Sequence, residues 1–115
     1  MYNALTRIYT AHYRYSGSDR VDITVKGQNP EWKLFAPTWN MVMGVKNSTM
    51  TENEYITEYL KILDAVPINI WNKLFQIETI TLVCFCPKDA FCHRNILTNY
   101  ICDSVVGIQY HGWRD

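Results

Sequence analysis

One segment constrains the fold more than any other. Residues Thr79 to Phe85 read Thr-Ile-Thr-Leu-Val-Cys-Phe, and they become apolar on both faces toward their end. This pattern is typical of a central strand that is covered on both sides. An apolar helical stripe follows it, formed by Ile96, Leu97, Tyr100 and Ile101. With a closing strand predicted from Val105 to Tyr110, residues 79–110 form the best βαβ unit of the chain.

The residues before this unit predict two strands and a loop. Strands are predicted from Leu5 to Thr10 and from Arg20 to Val25, joined by a turn at Ser16 to Asp19. Residues 26–50 contain glycine and proline with no sustained period, so a long irregular loop is predicted there. A loop of that length in a compact domain is more often functional than idle.

Three helix starts are predicted from local signals. Thr51-Glu52-Asn53-Glu54 is a capping box, and the helix that it opens is predicted to run to about Ala65. Pro67 suits the first turn of a second, short helix. Asp89 is predicted to cap the last helix. The order of these elements predicts a small single-domain α/β fold over residues 1–115, Rossmann-like and three-layered, with a mostly parallel or mixed sheet.

The charge balance excludes one class of protein. Eleven Lys and Arg residues balance eleven Asp and Glu residues, so the chain lacks the basic excess of a protein that coats nucleic acid. Residues 1–48 are nevertheless basic, and they interleave aromatic with basic residues in Tyr13-Arg14-Tyr15 and Trp32-Lys33. Such a surface can stack bases and neutralise phosphates. The favoured interpretation is that these aromatic side chains fill the core and its rim.

The N-terminal residues and the cysteines bear on the cellular compartment in which we expect the protein. The N-terminal residues have neither the basic start nor the apolar run of a signal peptide, and no segment approaches membrane-spanning length. We therefore expect a cytoplasmic protein that does not bind membranes. In that reducing compartment the four cysteines are expected to be thiols rather than structural disulfides.

The loop after the central strand concentrates the reactive side chains. Residues 86–94, Cys-Pro-Lys-Asp-Ala-Phe-Cys-His-Arg, lie where parallel sheets bind ligands, beyond the carboxyl ends of the strands. The free amides and the dipole of the following helix favour an anion there. Arg94 is expected to add a bidentate contact and Lys88 a point charge. The site is therefore predicted to bind phosphate.

Three residues of this loop are candidates for catalysis. A helix N-terminus lowers the pKa of a thiol, which favours Cys92 as a nucleophile. The same dipole disfavours imidazolium, so His93 is expected to stay neutral and to act as an acid or base. Cys86 lies across the loop and is the third candidate. For His93 a structural hydrogen bond is about equally plausible, whereas Cys84 and Cys102 are expected to be small core residues.

Spacing excludes one more specific kind of site and disfavours two others without excluding them. A phosphatase or sulfurtransferase cradle needs arginine six residues after its cysteine, but Cys92 stands six residues after Cys86. Cys84-x-Cys86 with Cys92-His93 lacks the usual zinc-knuckle spacings. A redox pair of Cys86 and Cys92 is geometrically possible, but its spacing departs from the usual Cys-x-x-Cys. We therefore predict neither a metal nor a cofactor.

The segment from Ile80 to Arg94, Ile-Thr-Leu-Val-Cys-Phe-Cys-Pro-Lys-Asp-Ala-Phe-Cys-His-Arg, resembles the hallmark of the DUF488 family. In that family a strand ends in a motif like Leu-Cys-Tyr-Glu and leads to a helix that starts with Cys-His-Arg. The Asn95-Ile96-Leu97 continuation fits as well. Weaker resemblance covers Ile8-Tyr9-Thr10, Val21-Asp22-Ile23 and Pro30-Glu31-Trp32, which adds Tyr9, Asp22 and Trp32 as candidate substrate contacts.

The resemblance implies a compact Rossmann-like fold of bacteria and their viruses, and it implies no established reaction. This chain departs from the family pattern in two ways: Cys86 occupies the acidic position, and the helix between the first two strands is missing. Two functions stay open at this point. The first is an enzyme that acts on a phosphate-bearing or nucleotide-like substrate. The second is a non-catalytic module that binds nucleotide, nucleic acid or a host protein through its basic, aromatic N-terminal part.

Overall fold

The structure is a computed structural model that describes residues 6–115. Predicted strand residue Leu5 lies outside the described residues. The strands are β1 (Arg7–His12), β2 (Arg20–Asp22), β3 (Thr79–Cys84) and β4 (Gln109–Arg114). The α-helices are α1 (Trp39–Lys46), α2 (Glu52–Ala65), α3 (Ile68–Phe75) and α4 (His93–Ser104), and a 3-10 turn covers Trp32–Phe35. These elements confirm a small α/β fold.

The strands form one parallel sheet in the order β2-β3-β1-β4. β3 therefore lies inside the sheet, as its apolar sequence predicts, and Leu82 pairs with Thr10 on one side and Val21 on the other. β4 pairs with β1 and not with β3, so the connection that leads from β3 through α4 to β4 passes over β1. A bulge interrupts the pairing of β4 near His111, and Gly112 supplies the positive φ of 119° there.

The two faces of the sheet are covered differently. On one face Ile8, Ile80 and Leu82 join side chains of α2, α3 and α4 in a continuous hydrophobic core. On the other face the connection from β1 to β2 covers Thr81, whose hydroxyl donates to Asp19 Oδ2 at 2.7 Å. Tyr15 donates to the other oxygen of Asp19 at 2.6 Å. This connection contains no helix, which agrees with the short spacing in the sequence.

All four strands differ from their predicted bounds, and β3 does so only by ending at Cys84 instead of Phe85. β2 ends at Asp22 instead of Val25, because Asp22 Oδ1 accepts hydrogen bonds from the Thr24 amide at 2.9 Å and the Thr24 hydroxyl at 2.7 Å, which bends the chain. β4 starts at Gln109 instead of Val105, because Val105 still caps α4 by donating its amide to Ile101 at 2.9 Å. β1 is shifted toward His12 by two residues relative to the prediction.

The helices include one that the sequence analysis missed. The prediction of an irregular loop over residues 26–50 was wrong where α1 forms, since Thr38 caps that helix by accepting from the Met41 amide at 3.1 Å. The capping box of α2 is confirmed with both of its hydrogen bonds. The prediction that Asp89 caps α4 was wrong, because the cap position belongs to Cys92. Within residues 6–115, every helix is too short or too polar to cross a membrane.

Candidate functional site

A cavity of about 370 Å³ lies where the chain leaves β2 and β3. Thr24 and Val25 follow β2 into its wall, and residues of α1 close the opposite side. Aromatic rings and ammonium groups form much of its walls, and three cysteines with one histidine form its floor. These residues are Trp39, Tyr55, Phe85 and Phe91, then Lys26 and Lys46, then Cys84, Cys86, Cys92 and His93. A larger groove of about 730 Å³ between α1 and α2 is lined by neither thiol nor imidazole. The smaller cavity, which we call the thiol cavity, is therefore the candidate site.

Three thiols meet at the floor of the thiol cavity. Cys92 Sγ lies 3.0 Å from Cys84 Sγ, and Cys84 Sγ lies 3.8 Å from Cys86 Sγ. Cys84 ends β3 and Cys92 precedes α4, so the junction of strand and helix brings them together. Cys84 and Cys92 are buried, whereas Cys86 is partly exposed. Cys86 is therefore the most accessible of the three thiols.

The His93 imidazole is buried behind these thiols. Its Nε2 lies 2.8 Å from the carbonyl oxygen of Ile23, so Nε2 carries the proton and Nδ1 is left as an acceptor. Nδ1 lies 3.7 Å from Cys92 Sγ and 3.8 Å from Cys84 Sγ. Burial lowers the pKa of His93 to about 4. The imidazole is therefore neutral near pH 7, and the main cause is burial rather than the helix dipole that the sequence suggested.

The thiol network favours ionisation of Cys86, the third of the predicted candidates, over that of Cys92. Hydrogen bonds from the Cys84 and Cys92 thiols lower the pKa of Cys86, and the nearby His93 and Arg94 lower it further. Hydrogen bonding to Cys84 and Cys86, together with burial, raises the pKa of Cys92. Cys92 lines the cavity but is only 4% exposed, and its raised pKa contradicts the prediction that the helix N-terminus activates its thiol.

We expect iodoacetamide to alkylate Cys86 faster than any other cysteine of the reduced, chelator-treated protein. Its thiol is partly exposed and its pKa is lowered, and the thiolate is the reacting form. Cys102 is the matched control, because it is similarly exposed but burial raises its pKa. Peptide mass spectrometry across a pH series measures both rates. Faster alkylation of Cys92 than of Cys86 would contradict the assignment.

Arg94 does not reach the cavity. Its side chain is 0% exposed, and its guanidinium donates to four backbone carbonyls, those of Ala11, Cys84, Cys86 and Pro87, at 2.9–3.4 Å. The Trp113 ring covers it, with its centroid 4.8 Å from Cζ. The prediction that Arg94 makes a bidentate contact with an anion was therefore wrong, because its guanidinium already donates hydrogen bonds to these carbonyls. Arg94 holds together the ends of β1 and β3 and the loop after β3.

Comparison with protein families identifies the group to which this chain belongs. The family model DUF488-N3a, described as the active DUF488-N3 subclade, matches residues 2–104. The chain belongs to the DUF488 family. No curated protein and no solved structure matches the chain significantly.

Four other residues predicted to contact substrate do not line the thiol cavity of this DUF488 protein. Lys88 is exposed on the loop before α4. The ring of Tyr9 lies under the Arg114 guanidinium at 3.7 Å. Asp22 shapes the turn after β2, and Trp32 packs on the hydrophobic core. Their contact with substrate stays a prediction, and the structure shows only that they lie outside the lining of the thiol cavity.

The sequence analysis of this DUF488 protein missed the cavity's basic and aromatic walls. Lys26, Lys46 and Trp39 all belong to the segment that was predicted to be an irregular loop. The only available signal was the length of that loop, which suggests function without indicating residues. Folding of α1 brings Lys46 and Trp39 to the cavity, so their role depends on a helix that the sequence pattern did not reveal.

Proposed function

We propose that this DUF488 protein is an enzyme that acts on a phosphate-bearing, nucleotide-like substrate in the thiol cavity, with Cys86 as its nucleophile. The observation that carries the proposal is the position of Cys86. Its thiol is partly exposed on the floor of a cavity at the strand ends, and two neighbouring thiols lower its pKa. The description of the matched subclade as active is consistent with catalysis.

The walls of the cavity suit a nucleotide. Trp39 exposes 55% of its surface, which offers a flat apolar face to a base, and Phe85, which Tyr13 covers on one ring face, still exposes 48%. Lys26 Nζ lies 5.7 Å from the centroid of the Phe85 ring, and Lys46 adds a second ammonium group to the same cavity. A base stacked on these rings would thus place its phosphate near two positive charges.

The chemistry that this arrangement supports is nucleophilic catalysis. The Cys86 thiolate displaces a leaving group from the electrophilic centre of the substrate, so the bond to sulfur forms as the bond to the leaving group breaks and that group departs with the electron pair. Water or a second nucleophile then loses a proton to solvent and breaks the bond to sulfur, which releases the product and restores the thiolate. Cys84 donates toward Cys86, and Cys92 donates toward Cys84, so the two buried thiols orient the nucleophile. His93 acts as a positioning residue, because its Nδ1 contacts Cys84 and Cys92 rather than Cys86. A cytoplasmic location fits this role, since the thiols must stay reduced.

The alternative of a binding module has less support. It requires free aromatic faces in the basic N-terminal part. The Arg20 guanidinium lies 4.3 Å from the Tyr13 ring centroid, and the Arg114 guanidinium lies 3.7 Å from that of Tyr9. These rings already carry cations on one face, and Tyr13 also stacks on Phe85 at 3.9 Å. Little aromatic surface is left there for stacking bases.

We expect adenosine 5′-monophosphate to bind in the thiol cavity and to be held by its two lysines. Lys26→Ala and Lys46→Ala should each weaken binding by about tenfold, the effect of losing about 1.4 kcal/mol of attraction to phosphate. Lys88→Ala is the matched control, since Lys88 is exposed and outside the cavity. Titration followed by tryptophan fluorescence measures the three affinities. If Lys88→Ala weakened nucleotide binding equally, the nucleotide would bind at the loop before α4 and not in the thiol cavity.

Protection of Cys86 gives a second test of the proposed function. Saturating nucleotide should slow the alkylation of Cys86 by iodoacetamide while leaving Cys102 unchanged. The reason is that a ligand in the cavity covers the Cys86 thiol, whereas Cys102 lies near the end of α4 and outside the cavity. Unchanged alkylation of Cys86 with bound nucleotide would separate the binding site from the nucleophile and overturn the proposal.

A further inference from the structure

The floor of the thiol cavity has a second property that the proposed function does not use. Cys84, Cys92 and His93 offer three ligand atoms that all lie within 4.8 Å of one another, and all three residues are buried. We propose that these three side chains bind one tetrahedrally coordinated, thiolate-preferring metal ion such as Zn²⁺, with the fourth coordination position open to the cavity. This proposal does not rest on Cys86 being a nucleophile, and it describes a different state of the site, because Cys84 and Cys92 bind the ion as thiolates and then no longer donate hydrogen bonds toward Cys86.

The distances between the ligand atoms carry the proposal. Zinc bonds of about 2.3 Å to sulfur and about 2.0 Å to nitrogen, at tetrahedral angles, separate two sulfurs by about 3.8 Å and a sulfur from a nitrogen by about 3.6 Å. His93 Nδ1 lies 3.8 Å from Cys84 Sγ and 3.7 Å from Cys92 Sγ. Both of these separations match. The two sulfurs are 3.0 Å apart, so they must separate by less than 1 Å to hold the ion.

The orientation of the imidazole fits a ligand. A metal-binding histidine commonly donates its other ring N–H to a backbone carbonyl, which fixes the ring and leaves the ligating nitrogen unprotonated. Here Nε2 lies 2.8 Å from the Ile23 carbonyl oxygen, and Nδ1 faces the two thiols. Tyr59 packs edge-on against the ring at a centroid distance of 5.6 Å. The ring is thus held in the required orientation before any ion binds.

The arrangement matches an open site better than a closed one. Structural zinc sites use four protein ligands, whereas catalytic sites use three, and two cysteines with one histidine is a known catalytic set. Cys86 is the nearest additional ligand, 3.8 Å from Cys84, but it is partly exposed and lies outside the compact group of three. The three ligating residues also line the cavity, so the remaining position faces the space where a substrate or water would lie.

This inference revises the expectation of no metal. That expectation rested on the spacing of knuckle motifs, in which two ligands come from one tight turn. Here Cys84 ends β3, whereas Cys92 and His93 begin α4, so the ligands converge through the packing of a strand against a helix. A site built in this way leaves no regular spacing in the sequence.

The test is a titration of the reduced, chelator-stripped full chain with Co²⁺ and then Zn²⁺. We expect one Co²⁺ per chain, with the near-ultraviolet thiolate charge-transfer absorption and the visible bands of a tetrahedral site, and displacement by Zn²⁺. Cys84→Ser and Cys92→Ser should each weaken binding by at least about a hundredfold. Cys86→Ser and the distant Cys102→Ser should change it by less than about threefold.

Each other outcome overturns the proposal. Absence of thiolate charge transfer, or binding that survives both Cys84→Ser and Cys92→Ser, excludes the three-residue site. Loss of binding in Cys86→Ser shows a closed four-ligand site instead of an open one. A Cys84–Cys92 disulfide in peptide maps of unreduced protein, with no Co²⁺ bound after reduction, assigns the close sulfur pair to redox chemistry.

A second measurement avoids variants whose folding is disturbed. X-ray absorption of the zinc-loaded, unsubstituted chain should show two sulfur ligands at about 2.3 Å and nitrogen or oxygen ligands at about 2.0 Å. Three sulfurs, or none, would overturn the proposal. Failure here is distinguishable from failure of the proposed function, because Lys26→Ala tests nucleotide binding alone and Cys86→Ser tests the nucleophile while leaving the metal ligands in place.

Discussion

Replacing Arg94 with methionine is expected to lower the free energy of unfolding by about 3–5 kcal/mol. The substitution leaves four backbone carbonyls, at the ends of β1 and β3 and in the loop after β3, without the guanidinium that donates to them. Hydrogen bonds from a charged group contribute about 1.5–3 kcal/mol each, and a buried acceptor without a donor costs the free energy of its desolvation. Because domains are stable by only about 5–15 kcal/mol, much of the total is at stake.

Urea denaturation followed by circular dichroism measures this loss. Arg7→Met is the matched control, because Arg7 is exposed and its ion pair with Glu78, at 3.3 Å, lies in solvent. Such a pair contributes about 0–1 kcal/mol. Arg94→Lys should fall between the two, since one ammonium group cannot reach all the carbonyls that the planar guanidinium reaches. A loss below about 1 kcal/mol in Arg94→Met would show that Arg94 does not hold these segments together.

Replacing Leu82 with alanine is expected to cost about 3–5 kcal/mol of unfolding free energy. Leu82 is 0% exposed and lies in β3 between β1 and β2, on the face that meets the helices. Removing its isobutyl group leaves a cavity among strand and helix side chains that cannot close without moving several elements. We also expect weaker nucleotide binding, because Cys84 and Cys86 follow Leu82 in the chain by two and four residues.

Chemical denaturation of Leu82→Ala and of the control Leu60→Ala tests this prediction. Leu60 is 36% exposed on α2, and alanine favours helix, so that substitution should cost less than about 1 kcal/mol. Similar losses in the two variants would mean that β3 is not the centre of the core. An unchanged slope of unfolding free energy against urea would show that both variants unfold from the same compact state.

The candidate site of this DUF488 protein borders the loop that the sequence pattern indicated, but not every residue predicted there lines it. The loop after β3 does border the thiol cavity, because ligand sites in parallel sheets follow the strand ends. Cys86, Cys92 and His93 do meet there. Arg94 was misassigned, since an arginine at a helix start looks the same in sequence whether it faces an anion or four backbone carbonyls.

Several features of the fold were determined by the sequence alone. β3 lies inside the sheet because its residues are apolar on both faces, and α2 begins at Thr51 because its capping box is a contact between near neighbours in the chain. Signals of this kind depend on a few consecutive residues. They can be interpreted before any tertiary contact is known, which is why these elements appear where they were predicted.

Other features were decided only by the tertiary structure. α1 forms in a segment without clear periodicity, where it brings Lys46 to the cavity that Lys26 also lines. The hydrogen bond of His93 to Ile23 joins residues 70 positions apart. Burial then sets the protonation of His93, and the neighbouring thiols set that of Cys86. The distances between side chains, their burial and their hydrogen bonds depend on which segments pack together. Short stretches of sequence do not show that packing.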